Sequence, residues 1–264
     1  MGVRLGVVSY LNTRPLVEGF RTGEIDHDFD LIYDVPSLCA DRLHRNETDV
    51  ALIPAAEIGR GAEEYRIVPN VGIVSNGSVR SVFVVLGKEP EEIQRLALDS
   101  GSRTSAVLAQ VVLARQFGCR PEVFVQAPNV DEMLTVADAA LLIGDRALEL
   151  DLKRYRVLDL GEVWTQMTGL PFVYACWTGR KGVLGSQDVA KLVEAKEKGH
   201  SFIPKIAESH ATGNTLPAAF YAEYLTRNIH YDVGDAELEG LRRFYTYGAE
   251  LGLIPEVPDI QFYS

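Results

Sequence analysis

Two apolar runs decide the architecture: residues 81–86 read Ser-Val-Phe-Val-Val-Leu, and residues 172–177 read Phe-Val-Tyr-Ala-Cys-Trp. Both runs have the length of a strand, and their continuous apolar character is typical of strands buried on both faces. The segment between them has about half the length of a typical domain and its own strand–helix pattern. We therefore predict a discontinuous two-lobed α/β protein in which these two strands cross between the lobes.

Strand and helix patterns alternate along most of the chain. Residues 3–8 form a strand-like run followed by a helix start at Asn12–Pro15, and residues 96–98 precede a long helical pattern at 104–117. Such alternation predicts parallel-rich sheets covered by helices on both faces. After residue 177 the chain is predicted to be mostly helical, over 188–198, 202–210, 217–226 and 235–251. Lobe I would comprise residues 1–86 and 173–264, and lobe II residues 87–172, with the ligand cleft between them.

Composition excludes several functional classes. The chain has 264 residues and a formal net charge of -11, and its basic residues are scattered, which argues against binding to nucleic acid or to an anionic membrane. The three cysteines are far apart, and no Cys-x-x-Cys or His-x-x-x-His spacing occurs, so neither a disulfide framework, a metal nor a cofactor is expected. No signal peptide or membrane-spanning run is recognisable, and we expect a cytoplasmic protein.

The turn at residues 99–105, Asp-Ser-Gly-Ser-Arg-Thr-Ser, is the strongest candidate for a binding site. It follows a strand, contains a glycine and several hydroxyls, and opens the long helix. Free N–H groups and the helix dipole favour an anion at such a place, and the absence of a Gly-x-x-x-x-Gly-Lys pattern favours a carboxylate over a polyphosphate. The alternative is a serine-rich helix cap that binds only water.

Three further turns end strands and would face the same cleft. Asn12 within residues 9–15 can donate and accept hydrogen bonds at once, but it could equally be a plain helix cap. Residues 76–81 lead into the first apolar run, with a turn that binds no ligand as the alternative. Ile143-Gly144-Asp145 could line the cleft or cap a helix. No nucleophile–base pair is recognisable, so these residues alone indicate a two-lobed protein that binds a small anion.

An ordered series of motifs resembles the chorismate dehydratase family of the futalosine route to menaquinone. Residues 8–16, Val-Ser-Tyr-Leu-Asn-Thr-Arg-Pro-Leu, look like the start of that family. The resemblance continues in order through residues 49–54, 77–82, 102–105, 143–145, 159–164 and 168–173. It covers the first two-thirds of the chain, and the helical C-terminal third adds little specificity.

The resemblance implies the fold of type II periplasmic binding proteins and a cofactor-free lyase. Chorismate would lose water to give 3-[(1-carboxyvinyl)oxy]benzoate, and the gain of an aromatic ring would drive the elimination. The protein would hold the dianion in its reactive conformation, and the substrate's own side-chain carboxylate could act as the base.

By the same resemblance, Asn12 and Ser81 would be the polar residues at the reacting ring, whereas the hydroxyls and N–H groups of residues 102–105 would hold a carboxylate. Arg14, Arg80 and Arg103 are possible charge partners. The full predicted set of substrate-binding residues is Ser9, Tyr10, Arg80, Ser102, Arg103, Thr104, Ser105, Gly144 and Asp145.

The rival interpretation is a non-enzymatic binding protein or an effector domain for a small carboxylate on the same fold. Exported receptors need a signal peptide or lipid anchor, and effector domains usually follow a DNA-binding helix-turn-helix. Neither pattern is recognisable here. The sequence therefore favours an enzyme, and it does not predict the oligomeric state.

Overall fold

Each of the two apolar runs lies in a different five-stranded sheet of the computed structural model, which describes residues 2–60 and 64–264. The first sheet has the order β2-β1-β3-β10-β4. Its strands are β1 (Arg4–Val8), β2 (Asp30–Asp34), β3 (Val50–Pro54), β4 (Tyr65–Ser75) and β10 (Phe172–Arg180). Strand β1 runs parallel to β2 and β3, and β10 pairs antiparallel with β3 and β4. Strands from both ends of the chain therefore interleave in one sheet.

The second sheet has the order β7-β6-β8-β5-β9. Its strands are β5 (Val82–Leu86), β6 (Arg95–Asp99), β7 (Glu122–Gln126), β8 (Ala139–Ile143) and β9 (Arg156–Asp159). Strand β6 is parallel to β7 and β8, whereas β5 pairs antiparallel with β8 and β9. Strand β5 thus lies in the second sheet, although the predicted boundary at residue 86 assigned it to lobe I. An apolar run indicates burial but not which sheet buries it. We propose that each sheet is the centre of one lobe.

Helices cover the two sheets, and one of them, α8 (Ser186–Ala211), is a single helix where the sequence predicted two. They are α1 (Glu18–Thr22), α2 (Pro36–His44), α3 (Ala55–Ile58), α4 (Thr104–Gln116), α5 (Val130–Val136), α6 (Gly144–Leu148), α7 (Leu160–Thr168), α8 (Ser186–Ala211), α9 (Ala218–Glu223) and α10 (Asp235–Glu250), with 3₁₀ turns at Leu11–Leu16 and Pro90–Glu92 and a π-helical turn at Tyr224–Asn228. Helix α8 is continuous through Pro204, where two helices were predicted. Its buried face, which includes Leu192 and Phe202, outweighs the hydrogen bond lost at the proline.

Strand β4 was not predicted because its pattern is irregular. Pro69 and Asn70 interrupt the strand, and Asn70 has a positive φ of 61°. The pairing of β4 with β10 shifts register twice, which accommodates this irregularity.

A shared hydrophobic core joins the two sheets. Buried side chains of the first sheet, such as Leu5 and Trp177, belong to the same cluster as Leu98 and Val107 of the second sheet and its helix α4. A smaller cluster around Phe83 and Met133 lies between the second sheet and its helices α5 and α6. No helix in residues 2–60 and 64–264 is both long and apolar enough to cross a membrane. The arrangement brings the carboxyl ends of β1, β3, β6 and β8 to one cavity.

Candidate functional site

The cavity lies where turns from the two sheets meet, and its empty volume is about 560 Å³ including the open mouth. Most of the predicted site residues line it, namely Tyr10, Asn12, Ser81, Ser102, Arg103, Thr104, Ser105 and Gly144. Apolar side chains such as Leu52 and Ile73 complete the walls, so the cavity combines an apolar body with a few polar groups.

Three predicted residues lie outside the cavity lining. Ser9 is exposed, and its hydroxyl donates to the carbonyl oxygen of Asp34. The guanidinium of Arg80 lies over the ring of Phe220, 3.9 Å from the Glu223 carboxylate. The Asp145 carboxylate accepts the backbone N–H of Leu11, and Asp145 is not among the residues that line the cavity.

The turn at 99–105 is supported by its own side chains. Asp99 Oδ1 accepts the N–H of Gly101 at 2.8 Å, and Ser102 Oγ accepts the N–H of Ala106 at 3.1 Å. Asp99 is buried, and burial raises the pKa of its carboxyl group against the hydrogen bonds from Gly101 and Ile143. The N–H groups of Thr104 and Ser105, the first two of helix α4, have no acceptor within the helix, so they are available at the cavity wall that both residues line.

Arg103 provides the positive charge of this wall. Its Nε is buried and has no hydrogen-bond partner in the described part of the chain, and one terminal nitrogen lies 3.5 Å from Asp41. Next to it, the hydroxyl of Thr104 accepts the N–H of Ala56 at 3.1 Å and so connects helix α4 to the start of α3. An acceptor with negative charge would therefore find an unused donor and a helix N-terminus at one place.

The turn at 9–13 is held by the other sheet. The Asp145 carboxylate, in helix α6 after β8, accepts the N–H of Leu11 at 3.0 Å. Tyr10 precedes the 3₁₀ turn, and Asn12 lies inside it with its Oδ1 facing the Thr13 hydroxyl at 3.4 Å. Asn12 is therefore not the cap residue of this turn, and its amide nitrogen has two N–H groups, so it can donate to a ligand as well as to the neighbouring Tyr224 hydroxyl.

Gly144 lets the two turns approach closely. It has a positive φ of 64°, and a Cβ atom at this position would lie 2.6 Å from the Tyr10 ring. The Tyr10 ring consequently packs directly on the backbone of the β8–α6 junction. Burial, with the charges of Asp99 and Asp145, raises the pKa of the Tyr10 hydroxyl, which keeps the phenol neutral.

Ser81 is fixed by the turn that precedes it. The Asp159 carboxylate accepts the Ser78 hydroxyl and the N–H groups of Val79 and Arg80 at 2.7–3.0 Å, and it also caps helix α7. Arg80 has a positive φ of 59°, a strained conformation for a residue other than glycine. This conformation lies directly before Ser81, whose carbonyl oxygen accepts the Gly144 N–H.

Sequence reasoning missed two tyrosines at the site. Tyr174 in β10 lines the cavity, and its hydroxyl is 3.0 Å from that of Ser75. Tyr224 is buried, and its hydroxyl donates to Ser81 Oγ at 2.9 Å. Both belong to apolar patterns in which a tyrosine is indistinguishable from a core residue, so the sequence contained no signal for them. Within residues 2–60 and 64–264, no group of three or more His, Cys, Asp or Glu side chains could hold a metal ion.

Solved structures with the same architecture define the fold class. The chain aligns with protein AF1704 of Archaeoglobus fulgidus at a TM-score of 0.76 and 17% identity, over 96% of this chain and 98% of that one. It also aligns with the periplasmic aliphatic sulphonate binding protein SsuA of Escherichia coli at a TM-score of 0.63 and 17% identity, over 99% and 92%. The predicted fold of periplasmic binding proteins is thereby confirmed.

Sequence comparison gives the family. A family model described as menaquinone biosynthesis matches residues 3–250, and the chain belongs to this family. Its relatives include the chorismate dehydratase of Thermus thermophilus, 26% identical over 91% of this chain and 93% of the relative. The chorismate dehydratase of Campylobacter jejuni is 29% identical over 89% and 88%.

Proposed function

We propose that this protein is a chorismate dehydratase, a lyase that converts chorismate to 3-[(1-carboxyvinyl)oxy]benzoate and water in menaquinone biosynthesis. The observation that supports it best is the cavity itself. It combines Asn12 and Ser81 on one side with the start of helix α4 and Arg103 on the other, around apolar walls. A small ring with two carboxylates matches that division.

One substrate carboxylate would lie at the start of helix α4. The unused Nε of Arg103 supports this placement, as do the N–H groups of Thr104 and Ser105, which have no acceptor within the helix and lie at the wall. Arg103 is favoured over the other two candidate arginines because it lines the cavity, whereas Arg14 pairs with Glu18 and Arg80 contacts Phe220 and Glu223 outside that lining. The overall negative charge of the protein makes such a local donor set necessary.

The reacting ring would lie against Asn12 and Ser81. In the reaction, one ring C–H bond and the ring C–O bond to the hydroxyl break, a ring double bond forms, and the proton and hydroxide leave as water. An amide is a poor base, so Asn12 would orient the ring or donate to the departing hydroxyl, while the substrate's side-chain carboxylate takes the proton.

Incubation of the purified protein with chorismate tests this proposal. We expect a product with the mass of chorismate less one water and the absorbance of an aromatic ring. Chorismate should also raise the melting temperature, because a ligand at 100 times its Kd adds about 2.7 kcal/mol to the stability of the folded state. Benzoate, ATP and NAD serve as controls and should give little or no shift.

The outcomes separate enzyme from binding protein. A melting shift without product would favour the non-enzymatic binding protein, which shares this fold. A shift with ATP or NAD and none with chorismate would overturn the assignment of the ligand.

A further inference from the structure

The C-terminal segment contacts the site through one buried hydroxyl that the predicted set of site residues does not include. Tyr224 begins the π-helical turn after helix α9, and its side chain is 1% exposed. Its hydroxyl donates to Ser81 Oγ at 2.9 Å across 143 residues of sequence. Single π-turns are frequent at functional sites, where they redirect a side chain from its helical position.

We propose that Tyr224 is a positioning residue that directs the Ser81 hydroxyl proton into the cavity. The inference rests on the proposed function in one respect, namely that Ser81 acts on the bound ligand. Tyr224 is not among the residues that line the cavity, so it acts through Ser81 and not on the substrate.

The directing effect follows from the hydrogen-bonding capacity of a serine hydroxyl. Ser81 has one proton and two lone pairs, and the Tyr224 proton occupies one of the lone pairs. The Ser81 proton is then left to donate. Its partner within the protein is the Val79 carbonyl oxygen at 3.4 Å, which is a long contact. A ligand oxygen in the cavity would offer a shorter bond, and donation from Tyr224 would strengthen it cooperatively.

The Tyr224 hydroxyl can donate to Ser81 only while it is protonated. Burial raises the pKa of this hydroxyl, and the hydrogen bonds that it shares with the Ser81 and Asn12 side chains offset the rise only in part. The phenol is therefore neutral at physiological pH and remains a donor. Asn12 is the second polar neighbour of the same hydroxyl, so Tyr224 lies next to both residues assigned to the reacting ring.

The same segment holds the turn before Ser81 at a second point. Asn228, at the end of the π-turn, donates from Nδ2 to the Ser78 carbonyl oxygen at 2.8 Å. The two contacts fix both ends of residues 78–81, where the strained Arg80 lies. A side chain on a well-supported turn loses little freedom when the ligand binds, as a residue acting in a transition state requires.

A double-mutant cycle tests the proposal on the full-length protein. Tyr224→Phe should lower kcat for chorismate on the order of tenfold, the loss typical of one positioned hydrogen bond, with KM nearly unchanged. In a Ser81→Ala background the same change should have no further effect on kcat, because its target is already gone. Tyr231→Phe is the matched control, since the Tyr231 hydroxyl is buried without a hydrogen-bond partner among the described residues, and it should leave kcat unchanged.

The cycle distinguishes the failures. If the wild type is active and the effects of Tyr224→Phe and Ser81→Ala multiply, Tyr224 has a structural role only and the inference is overturned. A wild type without turnover would overturn the proposed function, and this inference with it. Should Tyr224→Phe not fold, 3-fluorotyrosine at position 224 retains the shape and makes the phenol a stronger donor. It should then change kcat when Ser81 is present and leave it unchanged in Ser81→Ala.

Discussion

The two turns that form the polar walls of the cavity are built in different ways. The turn at 99–105 is shaped by its own residues, since Asp99 binds the Gly101 N–H and Ser102 binds the Ala106 N–H, and the Thr104 hydroxyl only adds a link from its end to Ala56. The turn at 9–13 is held from the other sheet, by the Asp145 carboxylate on the Leu11 N–H. The comparison teaches that the proposed carboxylate site is encoded locally, whereas the proposed reacting side exists only when the two sheets are assembled.

Replacement of Asn12 should give the largest effect and tests the role of the assembled turn. Asn12→Ala should fold and bind chorismate but lower kcat by roughly 100-fold or more, because a group that stabilises developing charge contributes mainly in the transition state. Steady-state kinetics and the melting temperature check this. Tyr10, and not Asn12, precedes the 3₁₀ turn, so the cost of a lost helix cap, about 0.5–2 kcal/mol, is not expected.

Full activity in an Asn12→Ala protein would show that the 9–13 turn has a structural role only. The comparison between the two turns would then lose its functional meaning. Ser81 would become the residue to test at the reacting ring.

Replacement of Arg103 tests the locally encoded turn. Arg103→Gln should raise KM about tenfold and change kcat little, because a charge-assisted bond to a carboxylate forms equally in the ground state and the transition state. Arg80→Gln is the matched control, since Arg80 contacts Glu223 and Phe220 outside the cavity lining. Its KM should remain close to that of the wild type. An increase in KM for Arg80→Gln, with none for Arg103→Gln, would reverse the assignment of the carboxylate partner.

The same contrast explains how much the sequence could predict. The turn at 99–105 could be identified because its glycine, its hydroxyls and the helix that follows are contiguous in the chain. Most of the strands followed from periodicity for the same reason, with β4 as an exception. Local chemistry made Asn12 and the turn at 76–81 candidates, and the family resemblance then assigned Asn12 and Ser81 to the reacting ring.

Long-range pairings were beyond the reach of sequence patterns. The Tyr224 hydroxyl meets Ser81 across 143 residues, and Asp145 meets Leu11 across 134. The apolar residues of strand β5 would suit either sheet, so the sequence could not indicate that β5 lies in the second one. Asp145 and Arg80 were predicted at the substrate, but their side chains are engaged elsewhere, which only the packing of the sheets determines.

Asp145 should give the smallest effect, visible as a pH dependence of stability. Burial raises the pKa of its carboxyl group above the ordinary value of 3.8, against the Leu11 hydrogen bond and the charge of His210, while the Glu149 charge adds to the increase. The native state therefore binds the Asp145 proton more tightly than the unfolded state does. Since stability falls with rising pH wherever the native state binds more protons, the ionisation of Asp145 should lower the free energy of unfolding from about pH 4 upward.

Asp145→Asn removes this ionisation and retains an oxygen that can accept the Leu11 N–H. The melting temperature of the variant relative to the wild type should therefore rise as the pH increases from about 4 to about 7. Asp131→Asn is the contrasting control, because the Tyr155 hydrogen bond and the nearby Arg154 lower the pKa of Asp131. The melting temperature of this variant relative to the wild type should therefore fall as the pH rises through the acidic range. A melting-temperature difference for Asp145→Asn that is constant across this range would mean that Asp145 ionises alike in both states. The hydrogen bond from the Leu11 N–H to Asp145 would then resemble one at an exposed carboxylate. The turn at 9–13 would in that case depend less on the other sheet than the geometry indicates.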